Sequence, residues 1–282
     1  MGGADTCFYA DAATFAASAL LMWMVGSEWK TERSRAGETA LDPTPTAKDT
    51  TNTSCVSTMS GGLLYLRRPE GAQVLPLVFL KTAGCILWGS SDVLNVVFAG
   101  GDEVDLGCIF AAVGVGCLVG PQLAECAVRR GRPGPPDPRL MVWACGVAVL
   151  IVSLSFLGMG LSSALPNIIL FTFLRAIGSA ILWVYSSVAL QILCDGGVLG
   201  RVVAIEGACA FAAEGVSAYT AALMLNSMGP KQVATSIGMF GVLFVAVPVI
   251  VYCTRSWGFG GKGNGIDYKI LETKESDVIE MT

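Results

Sequence analysis

Long apolar segments separated by shorter polar stretches recur along most of the chain. A helix of about 20 apolar residues is long enough to cross the hydrocarbon core of a bilayer. Seven segments approach or exceed this length: Tyr9–Val25, Val74–Phe98, Leu106–Ala127, Leu140–Met159, Ile168–Leu190, Val202–Leu225 and Ala234–Tyr252. The pattern therefore predicts an all-α, polytopic transmembrane helix bundle with about seven spans.

The spacing of these segments predicts four regions. Residues 1–27 form a lone transmembrane helix, and residues 28–72 a cytoplasmic linker. The middle of the linker, 36–59, is rich in Thr, Asp, Pro and Ser and lacks apolar periodicity, so we expect it to be largely disordered. We expect residues 73–254 to form a bundle of the other six spans. We expect residues 255–282 to form a flexible cytosolic tail.

Composition narrows the classes of protein that this bundle can represent. The hydrophobic fraction is 53%, the mean hydropathy is +0.63 and 14% of residues are charged, compared with about a quarter in soluble domains. The net charge of −4 provides no basic surface for nucleic acid. The chain has no histidine and no C-x-x-C pair among its ten cysteines. We therefore expect neither an enzyme nor a metal or cofactor site, and we expect the lipid bilayer to be the principal partner.

Basic residues predict the orientation of the bundle. They concentrate in the linker, in the loop after the third span, around Arg201 after the fifth span, and in the tail. All four regions lie on one side if the seven spans are correct. The opposite side carries Lys231 and the acidic loop Gly101–Asp105. Because Lys and Arg mark cytoplasmic loops, we expect the N-terminus outside and the C-terminus in the cytoplasm, while the identity of the membrane stays open.

Ionisable side chains inside the second span are the first indication of function. Lys81, Trp88, Asp92 and Asn95 share one face at about 100° per residue. A charged group in mid-bilayer costs roughly 2.5 to 3.5 kcal/mol on insertion scales, so it usually faces a cavity or a partner. The face therefore predicts a cavity lining. The alternative is that Lys81 and Asp92 extend to the two membrane surfaces.

The fifth and sixth spans carry further charges. Arg175 lies well inside the fifth span, on one face with Ser179, and Glu214 lies at a similar depth in the sixth. We expect Arg175 and Glu214 to be the main buried charges of a shared polar interior. A direct ion pair between them and a purely structural pair joining two helices are both open. Glu206 and Glu125, near cytoplasmic helix ends, are expected to be interfacial.

Small residues predict close helix packing in two spans. Ala112, Gly116 and Gly120 recur every four residues in the third span, and Ala204 and Ala208 do so in the sixth. Such stripes let helix backbones approach closely in membranes.

Five stretches in order carry a family resemblance: Phe8–Leu21 (FYADAATFAASALL), Gly61–Arg68 (GGLLYLRR), Leu106–Pro133, Leu174–Gln191 and Gly200–Glu206. Together they resemble the C-terminal half of a major facilitator superfamily transporter, of the drug and siderophore exporter branch. The first stretch is similar to the family's sixth helix and the second to the end of its central loop. The others are similar to its eighth helix, its tenth helix and the entry to its eleventh. The resemblance implies that the six spans of residues 73–254 correspond to the family's helices seven to twelve.

The resemblance implies transport of a small molecule by alternating access, as proton-coupled efflux, with substrate held near the midplane between two halves. Glu214 or Asp92 would carry the proton, and Arg175 would tune its affinity. The implied pathway residues are Lys81, Trp88, Asp92, Asn95, Arg175, Ser179 and Glu214. The implied gating residues of the cytoplasmic loops are Glu125, Arg129, Arg130, Arg132 and Arg201.

No segment corresponds to the family's first five helices. The resemblance therefore implies that this chain alone is incomplete, and that a second copy or a missing N-terminal half completes the pathway. One alternative is an inactive or regulatory remnant of a transporter that serves as a scaffold. Another is a seven-helix receptor, against which the third span ends in Arg129-Arg130 without an acidic-Arg-aromatic triplet.

Overall fold

The computed structural model describes residue 20 and residues 55–68, 71, 74–129, 138–194 and 196–256. The chain divides into two units, Met1–Thr53 and Ser54–Thr282. Every described residue except Leu20 belongs to the second unit, to which everything below refers. The lone helix predicted for residues 1–27 lies outside the described residues, apart from helical Leu20. Most of the predicted linker and the tail beyond Ser256 also lie outside them.

The described residues are almost entirely helical and contain no strand. In chain order the elements are α1 (Cys55–Leu66), α2 (Leu75–Phe98), α3 (Glu103–Arg129), α4 (Pro138–Leu161), α5 (Leu165–Leu193), α6 (Gly196–Leu225), α7 (Pro230–Phe240), a π-helix (Gly241–Ala246) and α8 (Val247–Ser256). Helices α2 to α6 and the continuous stretch Pro230–Tyr252 are six helices long and apolar enough to cross a membrane. The prediction of an all-α polytopic bundle is confirmed.

The end of the predicted linker differs from expectation, because α1 is an ordered helix packed against α6. A Cβ built on Gly61 would lie 2.8 Å from Nη1 of Arg201, and one on Gly62 would lie 2.9 Å from Cδ1 of Ile205. This helix overlaps the stretch 36–59, for which disorder is predicted, at residues 55–59, and it is held by contact with α6. Arg201, expected in a loop, is an exposed residue of α6 itself.

Prolines explain where several spans begin. Pro76, Pro166 and Pro230 occupy the first turn of α2, α5 and α7, and α4 begins at Pro138. The first turn of a helix has no internal partner for its N–H groups, so proline loses nothing there, and its fixed φ suits the helix.

The turn between α2 and α3 is built from local chemistry. Gly100 and Gly101 adopt φ values of +61° and +87°, a region that strongly favours glycine. Oδ1 of Asp102 then accepts hydrogen bonds from the backbone N–H groups of Val104 at 2.8 Å and Asp105 at 3.1 Å. These bonds satisfy donors that the first turn of α3 would otherwise leave unpaired.

The last span contains a widened turn that its apolar sequence does not predict. The backbone N–H of Val247 bonds to the carbonyl of Val242, a separation of five residues that defines a π-helix. Pro248 follows directly. A proline ring clashes with the preceding turn of a regular α-helix, so the wider turn accommodates Pro248.

Helix pairs that share small residues bring the backbones together. α3 packs on α5, α2 on α6, and α4 on both α5 and α7. A Cβ on Gly116 would lie 2.6 Å from that of Ala176, and one on Gly120 would lie 2.6 Å from the carbonyl oxygen of Ile177. The close packing predicted for α3 is therefore present. Ala204 and Ala208 of α6 are exposed instead.

Candidate functional site

A cavity of about 470 Å³ lies among helices α2 to α6. Small-molecule sites in proteins usually occupy about 300 to 1,000 Å³ and are mostly apolar with a few polar groups. This cavity follows that pattern, since its two charged lining residues are Lys81 and Glu214. Three aromatic residues, Trp88, Trp183 and Phe211, contribute to its wall.

Lys81 is bound on several sides at one part of the cavity. Its Nζ lies 3.3 Å from Oε2 of Glu206 and donates a hydrogen bond of 2.8 Å to Oγ of Ser187. It also lies 4.2 Å from the centroid of the Trp183 ring, within the range of a cation–π contact. Lys81 is 6% exposed and Glu206 is 2% exposed. This buried ion pair joins α2 to α6, and the serine adds α5.

Arg175 forms a second charged centre beside the cavity. It is 0% exposed, and its Nη2 donates a hydrogen bond of 3.3 Å to Oδ1 of Asn95. Cζ lies 5.3 Å from the centroid of Trp88 and 5.5 Å from that of Phe156. Nε and Nη1 of Arg175 have no hydrogen-bond partner among the described residues. A buried guanidinium with two unpaired nitrogens is energetically costly.

Glu214 is held at the cavity by close packing of α2 and α6. The backbone of Glu214 lies so close to Gly89 that a Cβ on Gly89 would overlap it. The hydroxyl of Ser217 donates a hydrogen bond to the carbonyl of Ile86 across the same pair of helices. The Glu214 carboxylate forms no hydrogen bond or ion pair within the described part of the chain. Asp92 lies within electrostatic range of it. Within the described part of the chain, the cavity therefore carries one carboxylate without a hydrogen-bond or ion-pair partner.

The structure brings the predicted pathway residues into two groups. Those that line the cavity are Lys81, Trp88, Ser179 and Glu214. Arg175 and Asn95 form the neighbouring buried pair, while Asp92 is exposed. Lys81 does not extend to the surface, because Ser187 and Glu206 hold it inside.

The structure decides one alternative that the sequence leaves open, and it adds a contact that the sequence does not predict. The described residues contain no ion pair between Arg175 and Glu214, and Arg175 binds the amide of Asn95 instead. Glu206, expected near the cytoplasmic interface, is buried against α2 and paired with Lys81.

The predicted gating residues do not form one site in the described structure. Glu125 is exposed on α3, Arg129 is the last residue of that helix, and Arg201 is exposed on α6 against α1. Arg130 and Arg132 lie outside the described residues.

Sequence reasoning missed the role of Glu206, together with Ser187 and Phe211. A signal for Glu206 was present. Glu206, Ala210, Ser217 and Ala221 are all buried, and their spacing of four, seven and four residues defines one helix face. The small residues Ala210, Ser217 and Ala221 mark this face as the one that packs closely on another helix. Glu206 lies on the same face and could therefore have been assigned to the contact with α2.

The six spans identify an integral multi-pass membrane protein, and its interior holds a charged, aromatic-walled cavity. No protein-family model matches the chain, and neither the search of curated proteins nor the search of solved structures finds a match.

Proposed function

We propose that this protein transports a small organic molecule across a membrane by alternating access. The observation that carries the proposal is the cavity of about 470 Å³ inside a bundle of candidate spans, with Lys81 and Glu214 in its wall. Transporters hold cargo near the bilayer midplane in cavities between helices. Ser179, at the midpoint of α5 (Leu165–Leu193), lines this one.

The unpaired charges favour transport over a purely structural role. A charge that serves only to join two helices is expected to have an oppositely charged partner, as Lys81 has in Glu206. Glu214 has no partner among the described residues, and Arg175 keeps two nitrogens unpaired. Ionisable groups in spans are costly and usually mark substrate or proton pathways. Glu214 is therefore the carboxylate that we assign to the proton or the cargo.

The proposal extends to family, orientation and coupling. The sequence motifs support a half of a major facilitator superfamily transporter, working as a proton-coupled exporter. The other half would be a second copy or a separate six-helix unit. The bias of Lys and Arg supports an external N-terminus and a cytoplasmic C-terminus. On this assignment Lys231, which donates a hydrogen bond of 3.1 Å to Ser163, faces outside.

Flux in proteoliposomes tests the transport proposal. Cationic, anionic and neutral organic solutes are presented to the purified protein with and without an imposed pH gradient. We expect the gradient to drive flux of at least one solute, and Glu214→Gln to reduce that flux at least tenfold. The matched control is Glu103→Gln, since Glu103 is exposed in the first turn of α3, away from the cavity. Absence of flux from a folded protein would favour the inactive remnant.

A further inference from the structure

The charge inside the cavity is unevenly compensated. Lys81 and Glu206 form a pair of zero net charge, whereas Glu214 has no hydrogen-bond or ion-pair partner among the described residues. Glu206 and Glu214 are eight residues apart on α6, about 12 Å along the axis at 1.5 Å per residue. Lys81, which is paired with Glu206 behind the wall, and the unpaired Glu214 both line the cavity.

The walls near Glu214 suit a positive, apolar ligand. Trp88 and Phe211 line the cavity with Glu214, and the faces of aromatic rings attract cations. Arg175 is a buried positive charge near this part of the cavity, but it is bonded to Asn95 and does not line the wall. Asp92 lies in electrostatic range of both Arg175 and Glu214 and offsets the charge of Arg175. Glu214 is then the uncompensated charge in the cavity wall.

We propose that the cavity binds a hydrophobic organic cation at Glu214, and that Glu206 sets this preference by neutralising Lys81. Without Glu206, the ammonium of Lys81 would be an uncompensated positive charge in the same cavity. It would repel a cation and attract an anion, and a low local dielectric would strengthen both effects. Glu206 thereby determines charge selectivity without itself lining the cavity.

This inference names the ligand class of the proposed transporter, and it rests on that proposed function only for the statement that the ligand is cargo. Binding can be measured without transport. A protein that binds cations but moves none would contradict the transport proposal alone. A protein that moves other solutes and ignores cations would contradict this inference alone.

Tetraphenylphosphonium and tetraphenylborate provide the test, because they have nearly the same shape and opposite charge. Equilibrium dialysis of each radiolabelled ion against the full chain in detergent, with empty micelles subtracted, gives the two dissociation constants. We expect the wild-type protein to prefer the phosphonium. We expect Glu214→Gln to weaken phosphonium binding by about tenfold or more, as loss of roughly 1.4 kcal/mol would.

Variants of the ion pair test the part assigned to Glu206. Glu206→Gln should weaken phosphonium binding and strengthen borate binding, and so remove most of the preference, because Lys81 and Glu214 then leave no net charge in the cavity wall. Lys81→Met/Glu206→Gln, which retains neither charge, should restore the preference for the phosphonium. The double variant keeps the inference testable even if Glu206→Gln fails to fold, since neither member of the Lys81–Glu206 pair is left buried without the other. Equal wild-type affinity for the two ions, or a double variant that prefers borate, would overturn the inference.

Discussion

Replacing Arg175 with Met should abolish transport without lowering the thermal stability of the bundle. The arginine is fully buried, and among the residues that the structure describes it has one hydrogen bond, of 3.3 Å, which leaves Nε and Nη1 without a partner there. Replacing buried ionic groups by apolar ones of similar volume is often neutral or stabilising, by about 1 to 4 kcal/mol. Unfolding temperature in detergent and flux in proteoliposomes measure the two effects.

Thr172→Val is the matched control for Arg175→Met. Thr172 lies about one turn before Arg175, is equally buried, and has one weak contact, 3.9 Å from Oγ1 to Sδ of Met159. We expect it to leave stability and flux close to wild type. If Arg175→Met instead lowers the unfolding temperature sharply, the arginine stabilises the fold and its assignment to the pathway fails.

Replacing Gly89 with Ala should strongly destabilise the protein. The added Cβ would collide with the backbone carbonyl of Glu214, and a backbone cannot move aside as a flexible side chain can. Overpacking of this kind costs about 1 to 3 kcal/mol and occasionally more. Separation of α2 from α6 would also strain the Ser217 hydrogen bond to Ile86 and the Lys81–Glu206 pair. A lower unfolding temperature and loss of flux are the expected results.

Gly215→Ala, at the residue that follows Glu214 on α6, should not destabilise the protein. A Cβ on Gly215 meets no atom of the described residues within 4 Å. Alanine is better than glycine in a helix interior by about 1 kcal/mol, so this variant should be neutral or slightly more stable. Equal effects of the two substitutions would contradict the close contact between α2 and α6.

The spans were predictable because their signal is simple and local. The segments Val74–Phe98 and Leu106–Ala127 correspond to α2 and α3 within a few residues, since a run of apolar residues sufficient to cross a bilayer leaves little choice of structure. The stripe of Gly116 and Gly120 also fixes which face of α3 packs on a neighbour.

The partners of the charged residues could not be predicted in the same way. Periodicity assigns Lys81 and Arg175 to helix faces, but it does not give the rotation of one helix against another. The pairing of Lys81 with Glu206 and the hydrogen bond from Arg175 to Asn95 both depend on that rotation.

Local structure that depends on tertiary contacts or backbone sterics could not be predicted from hydropathy either. α1 has no strong periodicity of its own, and it lies against Arg201 and Ile205 of α6. The π-helix Gly241–Ala246 precedes Pro248 inside an uninterrupted apolar run. In both places the structure results from packing and backbone sterics that hydropathy does not record.

Accessibility of the cavity from each side of the membrane tests the central claim most directly, and it requires no knowledge of the cargo. Ser179→Cys, in a protein whose native cysteines are replaced, puts one thiol at the midpoint of α5 and in the cavity wall. A membrane-impermeant thiol reagent is applied from either side of sealed vesicles of known orientation. Alternating access predicts labelling from both sides, with the ratio of the two rates changed by Glu214→Gln. A thiol that reacts from one side only, in wild-type and variant backgrounds alike, would contradict the account.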